Sequence, residues 1–219
     1  MPSRRSLAPA TGLQPETHPC RLELHPPASS GRGAVESLIS TVYRSRYDAY
    51  PPGFTPMLVS LSSGTEPVAA AGYRPAAQEA LFLERYLDRP VEQLLPPARG
   101  RTTARGAIVE VGHLAATRAG EGRQLVHCLA HHLLDQGYAW VVSTVTRELR
   151  RLFLRLGVTP FALGVADPVA LGNERFRWGR YYEHEPVILA GYLPQAIERL
   201  DTRPCAVRVE HRAACESAS

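Results

Sequence analysis

In this 219-residue chain, a carboxylate set inside an apolar, β-branched run is the residue best placed to do chemistry. The run is Ile108-Val109-Glu110-Val111-Gly112-His113-Leu114-Ala115. A carboxylate there must face solvent, pair with an arginine, or sit in a cleft that raises its pKa. In a cleft, Glu110 would suit proton removal from an attacking amine. Paired with an arginine, it would be structural. Strand alternation puts Glu110, Gly112 and Leu114 on one face and Val109, Val111 and His113 on the other. Glu110 and His113 can therefore work together only if a bulge intervenes. Gly112 is the candidate for that bulge, or for close approach by a ligand.

The next segment, Thr117-Arg118-Ala119-Gly120-Glu121-Gly122, puts two glycines where a strand feeds a helix expected to begin near Arg123. Free amides and the helix dipole there favour an anion such as pyrophosphate, with Arg118 and Arg123 flanking it. A plain glycine turn has the same spacing. The chain has no lysine, so all 25 basic residues are arginine. That excludes Schiff-base chemistry and leaves guanidinium forks for phosphate or carboxylate. His127 and His131 have the spacing of a helical metal pair, but Cys128 stands where a zincin needs glutamate, and no metal is expected. The run Arg147, Arg150, Arg151 and Arg155 is a solvated face or an attraction for an acidic partner.

Several elements must hold these residues. Arg21–His25 alternates as a first strand, and 33–47 reads as a helix with Val35, Leu38, Ile39 and Val42 on one face. Met57–Leu61 and Pro67–Arg74, joined through Ser62, Ser63 and Gly64, read as a hairpin. Pro90 splits the apolar stretch 80–95 into two short helical pieces. From Ala107 onward, strand, loop, helix, strand, helix, strand alternate, with helices ending at Gly137 and Gly157 and strands at 138–145 and 161–166. Thr146 is placed to cap the second helix. Pro186–Tyr192 is the last strand, and the chain from Leu193 onward is weakly patterned.

A net charge of +4 is too diffuse for a dedicated nucleic-acid binder, and 44% hydrophobic residues suffice for one core. Cys20, Cys128, Cys205 and Cys215 show no metal or disulfide spacing. Met1–Ala10 lacks the apolar run of a secretory leader, and no stretch reaches the roughly 18 apolar residues that span a bilayer. A cytoplasmic location without stable membrane insertion is expected.

The order of elements resembles the GNAT acyltransferase fold. More specific blocks are similar to the GNAT-like thermostable haemolysin family. They are Leu81-Phe82-Leu83-Glu84-Arg85-Tyr86-Leu87-Asp88, Ile108 to Ala115, Leu152-Phe153-Leu154-Arg155-Leu156-Gly157, Ala166-Asp167-Pro168 and Trp178-Gly179-Arg180-Tyr181-Tyr182, spanning about 35–192. A more distant similarity is to acyl-homoserine-lactone synthases, whose hairpin arginine and central-strand glutamate match Arg74 and Glu110.

The resemblance implies an α/β (α+β) fold: a mixed, mostly antiparallel twisted sheet flanked by helices, with a splayed central strand pair. It would occupy 20–195, between a disordered tail at 1–19 and a peripheral tail at 196–219. It implies acyl transfer from acyl-CoA, or from acyl-phosphopantetheine on acyl carrier protein, to a small amine acceptor. Glu110, His113 and Tyr182 are then the catalytic candidates. Val111, Gly112, Thr117, Arg118, Gly120, Gly122, Arg123, Ser143 and Thr144 would hold the donor. Arg74 would orient the acceptor, and the segment from Leu81 to Leu95, with Phe82 and Tyr86, would line the acyl pocket. Thr117 stands where a GNAT loop carries Gln or Arg, a change that a carrier-protein donor without the nucleotide tolerates. The helix 147–156 lacks the tyrosine that protonates the leaving thiolate, which leaves Tyr181 or Tyr182 for that task. The competing readings are a membrane-lytic protein and a catalytically silent domain that binds carrier protein.

Overall fold

Alternating β-branched runs broken by glycine and proline fold into a seven-stranded sheet ordered β1-β2-β3-β4-β5-β7-β6. The computed structural model describes residues 22–97, 100 and 102–200. The strands are β1 (Leu22–His25), β2 (Met57–Ser63), β3 (Glu66–Pro75), β4 (Ile108–Ala116), β5 (Trp140–Val145), β6 (Phe161–Val165) and β7 (Val187–Tyr192). All neighbours are antiparallel except β4 and β5, so the expected mixed, mostly antiparallel sheet is what forms.

Helices cover both faces. On one, α3 (Ala119–Asp135) and α5 (Leu193–Leu200) bury Leu125, Leu129, Leu133, Ile197 and Leu200 against Val59, Val109 and Val111. On the other, α1 (Arg32–Tyr47) buries Val35, Ile39 and Val42 against Leu58, Ala70 and Ala115. Beside α1, a 3-10 turn (Phe82–Tyr86) and α2 (Val91–Leu94) seat Leu81, Leu83 and Val91 on Ile108, Val142 and Ile188. Arg105 bridges Glu84 and Glu92 at 2.7 Å and pins that segment. Its guanidinium holds the Glu84 carboxyl down at about 2. The fifth helix, α4 (Arg147–Arg155), buries none of its own residues and rides on the outside.

Four expectations need correction. The chain beyond Leu193 is not peripheral through residue 200, because α5 buries three apolar side chains in the main core. α3 starts at Ala119, not near Arg123, so Gly120 and Gly122 lie in its first turn. Thr146 occupies the cap position of α4, but its side chain makes no capping hydrogen bond there. Leu81, Leu83, Val91 and Leu95 fill solid core and do not line a pocket. The tails at 1–19 and 201–219 lie outside the described residues.

One irregularity shapes the rest. β4 and β5 pair only from Ile108–Trp140 to Glu110–Val142, although β4 runs on to Ala116 and β5 to Val145. Across β4's other edge, Gly72 sits opposite Gly112 but Ala70 opposite Ala115, so His113 and Leu114 together face one residue of β3. His113 takes φ +54, in the left-handed region. A bulge of this kind bends the strand and re-aims its side chains. Here it carries β4 away from β5 and opens a fork just beyond Glu110.

Candidate active site

At the fork, a cavity of about 350 Å³ opens on the α1 face of the sheet. β4 contributes Glu110, Val111, Gly112 and His113, β3 contributes Arg74, and the 3-10 turn contributes Phe82, Arg85 and Tyr86. Tyr43 of α1 closes one wall, and Trp178, Tyr181 and Tyr182 close another. A Cβ at Gly112 would meet nothing within 4 Å, so this glycine leaves open space in front of the strand. The bulge falls at His113, one residue beyond the glycine expected to make it. Because of that shift, His113 joins Glu110 in the cavity that simple alternation would deny it.

Glu110 answers both of the readings open for it. Its Oε2 accepts the Phe82 amide at 2.8 Å and its Oε1 accepts the Leu83 amide at 2.9 Å. Arg74 Nε lies 3.6 Å from Oε2. The carboxylate therefore anchors the 3-10 turn and pairs with an arginine, yet it also lines the cavity. Each carboxylate oxygen offers two lone pairs, so two of about four sites remain. Burial raises its pKa above the ordinary carboxylate value, while the two amides and Arg74 pull it back only in part.

His113 is pushed the other way. Burial, with smaller contributions from Arg74 and Arg32, lowers its imidazole to about 4. It is neutral at pH 7, with its ring 5.5 Å from that of Phe54. Its folded pKa lies below the ordinary 6.5, so its contribution to stability is complete above pH 6.5 and lost as pH falls toward 4. The expected loss is about 3 kcal/mol. Chemical denaturation between pH 7 and 4 checks this. His113→Asn, which tolerates the positive φ, should flatten the acid limb, and an unchanged limb would refute the assignment.

Tyr86 and Tyr182 join hydroxyls at 2.7 Å, and burial holds both above their ordinary pKa. Tyr181 is buried and donates to the Thr144 carbonyl at 3.3 Å.

A second cavity, about 300 Å³, lies on the other side of the fork. It shares Tyr43, Gly112, His113, Thr144 and Tyr181 with the first, so the two flank the same part of the splayed strands. Ser143 stands in the gap and donates its hydroxyl to the Val111 carbonyl. A third cavity, about 90 Å³ and lined almost wholly by apolar side chains, shares Val111 with the first and Leu114, Val126 and Ser143 with the second. It runs under α3 along Val126, Leu129 and Leu133 to Leu193 and Leu200.

Thus Arg74, Phe82, Tyr86, Glu110, Val111, Gly112, His113, Thr144 and Tyr182 converge on the first cavity. Arg118, Gly122 and Ser143 line the second. Thr117, Gly120 and Arg123 are exposed and line none of the three. At the expected anion nest the chain supplies a local cap of its own. Glu121 Oε2 accepts the Thr117 hydroxyl at 2.7 Å and the Arg118 amide at 2.8 Å. His127 and His131, expected on the solvent side, are half-buried with their rings 4.8 Å apart. Cys128 is buried in the core.

Within the aromatic wall, Tyr181 and Tyr182 were candidates through the resemblance, whereas Tyr43 and the place of Trp178 in the site were missed. Tyr43 follows Ile39 at helical spacing, a signal that was available, whereas Trp178 and Tyr181 carry no periodic cue. They reach the site because Tyr50 and Arg180 amides bond the Arg177 and Tyr47 carbonyls, both at 2.6 Å, tying 177–180 to the end of α1.

A family model described as thermostable hemolysin matches residues 25–197. No curated protein matches the chain significantly by sequence. Among solved structures, the AHL synthase LasI aligns at TM-score 0.57 and 13% identity, covering 87% of this chain and 98% of that one. FeeM, an N-acyl amino acid synthase from uncultured soil microbes, aligns at TM-score 0.56 and 13% identity, with 82% and 94% covered. The CoA-dependent acyl-homoserine lactone synthase BjaI, solved with SAM and isopentyl-CoA, aligns at TM-score 0.54 and 15% identity, with 89% and 95% covered. At such identities the likeness is one of fold.

Proposed function

Because this chain belongs to the thermostable hemolysin family and shares its fold with acyl-transferring synthases, we propose that it moves an acyl group from a thioester to an amine. The observation that carries the reading is the fork between β4 and β5, with Glu110 at its base and three cavities lined by residues of its two strands. A donor, a small amine and an acyl chain each need a separate approach to one carbon, and the fork offers three.

In this reading the thioester arm lies in the second cavity against Ser143 and Thr144. Its carbonyl oxygen faces the backbone amides of β4 near Gly112, which would stabilise the developing oxyanion. The acyl chain enters the apolar cavity under α3, in place of the Leu81–Leu95 route expected from sequence. The amine enters the first cavity beside Arg74 and the aromatic wall. Its nitrogen attacks the carbonyl carbon, and Glu110 takes the proton it sheds, directly or through water. The C–S bond then breaks, the thiolate takes a proton from Tyr182, and proton exchange with water returns Tyr182 to the phenol and Glu110 to the carboxylate. Neutral His113 supplies a second lone pair in the same cavity. The donor is acyl-CoA or acyl carrier protein, and the compartment is the cytoplasm, where such thioesters are made.

Incubating the purified chain with acyl-pantetheine, acyl-CoA and loaded carrier protein plus an amine pool tests the proposal. New amides by mass spectrometry, with equimolar free thiol, are expected. No amide from any donor would sink it. One observation favours a silent binding domain instead, since both oxygens of Glu110 already hold an amide. Carrier binding without turnover would then be the result. The lytic reading predicts liposome leakage with no donor present. No described helix is long and apolar enough to cross a membrane.

A further inference from the structure

The net charge of +4 looks diffuse along the sequence, yet the fold gathers as much on one surface. Two backbone hydrogen bonds, from the Tyr50 and Arg180 amides, tie the end of α1 to the segment 175–180. Residues 44–50 and 175–180 carry Arg44, Arg46, Arg175, Arg177 and Arg180 against Asp48 alone. That leaves 20 arginines against 20 carboxylates in the remainder of the chain. Glu174, which precedes the second segment, is paired with Arg85 at 3.0 Å.

Two aromatic side chains of the same surface stand out in solvent, Tyr50 at 50% exposed and Phe176 at 71%. A guanidinium lies over each ring. That of Arg44 is 5.1 Å from the centroid of Tyr50, and that of Arg175 is 4.9 Å from the centroid of Phe176. Arg177 and Arg180 are exposed beside them. We propose that this patch docks the protein on an anionic lipid surface, with Tyr50 and Phe176 at the headgroup boundary and the arginines on lipid phosphates.

The pairing of ring with guanidinium is what favours a bilayer. Aromatic rings and arginine stems are amphipathic and settle where a membrane passes from phosphate to acyl chain. Guanidinium forks match phosphate oxygens, and each basic residue near an anionic surface adds an attraction that salt screens. An acidic protein would use the charges and leave Phe176 in water. A nucleic acid would stack on the rings, but a guanidinium already lies over one face of each. Docking of this kind needs no insertion, and no described helix is long and apolar enough to cross a membrane.

The patch borders the mouth of the first cavity. Trp178, which follows Arg177, lines that cavity, as do Pro52 and Gly53, just beyond Tyr50. Docking would bring this mouth to the bilayer surface, where an amphiphilic acceptor or product partitions. The docking itself stands apart from the transfer reading, since it requires neither donor nor acceptor.

Co-sedimentation of the full chain with sucrose-loaded vesicles tests the patch. Vesicles of equal parts phosphatidylcholine and phosphatidylglycerol should bind about 100-fold more tightly than pure phosphatidylcholine, about fivefold for each of three arginines. The variant Arg175→Gln, Arg177→Gln, Arg180→Gln should lose that advantage and keep its Tm. The control Arg89→Gln, Arg123→Gln, Arg199→Gln removes the same charge from exposed positions elsewhere and should retain it. Tyr50→Ser with Phe176→Ser should weaken binding to the anionic vesicles by about 10-fold, which a purely electrostatic contact would not show. Equal partition onto the two vesicle types would overturn the proposal. So would equal losses in the patch and control variants, or no loss in the aromatic one. An entrapped dye should stay inside, and its release would replace docking by insertion. Tight binding of an acidic carrier protein or a single-stranded oligonucleotide, with the vesicles left unbound, would assign the patch to that partner instead. Amide formation without vesicle binding keeps the transfer reading and removes the docking. Vesicle binding without amide formation does the reverse.

Discussion

Glu110→Gln is expected to lower kcat for amide formation by about 10²–10⁴-fold, the usual range for loss of a positioned general base. The substitution keeps the shape of the side chain and one acceptor oxygen, but its NH2 group turns a donor toward the Phe82 or Leu83 amide. The lost hydrogen bond should cost about 1–3 kcal/mol of stability, visible as a lower Tm. Activity and stability must therefore be read together. A fall in kcat with the fold intact at the assay temperature supports the base, whereas full activity in Glu110→Gln removes it from the mechanism. The pH profile adds a readout that a structural role would not move. Burial raises Glu110 above the ordinary carboxylate value, so kcat/KM should rise with pH through that higher midpoint. Stability should run the opposite way. What the protonated form contributes is present below pH 4.5 and lost as pH rises through the raised value, and Glu110→Gln should abolish that slope. His113 gives the contrary trend in the same cavity, losing stability as pH falls.

Gly179→Ala should be the most damaging single methyl in the chain's aromatic wall. Gly179 has φ +49 and ψ −123, and an added Cβ would lie 2.3 Å from the Asp48 carbonyl oxygen and 2.4 Å from that of Tyr47. Those atoms are backbone at the end of α1, so the clash cannot be relieved by rotating a side chain. The cost in stability is expected to be on the order of 3 kcal/mol, from a disfavoured dihedral plus overpacking. The same shift would displace Tyr181 and Trp178, which flank Gly179 and line the first cavity. The expected result is a lower Tm together with a weakened KM for the amine. Gly172→Ala is the control, because it also has positive φ but a Cβ there meets nothing within 4 Å. Equal effects from the two variants would show that φ alone matters and that the contact with α1 does not.

The two substitutions probe parts of the site that were unequally legible. Glu110 stood out because a carboxylate interrupts a β-branched run, a purely local contradiction that needs no partner to be seen. Arg74 was matched to it only through resemblance, yet the register of β3 and β4 sets the two opposite each other. Alternation alone put His113 on the face opposite Glu110, and the bulge that Gly112 suggested, set one residue later by pairing with β3, brings the two into one cavity. The start of α3 was placed late. There Glu121 bonds back to Thr117 and Arg118, a local cap that the glycines on either side concealed.

By itself the sequence determined the elements: hairpin, central strand, α3, β5 and α4 all follow from period, turn residues and glycine stops. Those signals act within a few residues, so they survive without knowledge of the fold. Tertiary structure alone decided that β7 inserts between β5 and β6, that α5 belongs to the core, and that β4 parts from β5 beyond Glu110. It also decided that aromatic residues of α1 and of the segment 178–182 close one cavity. Contacts between distant segments depend on register and packing, which no local pattern encodes. The carboxylate was visible in one dimension, and the space in front of it exists only in three.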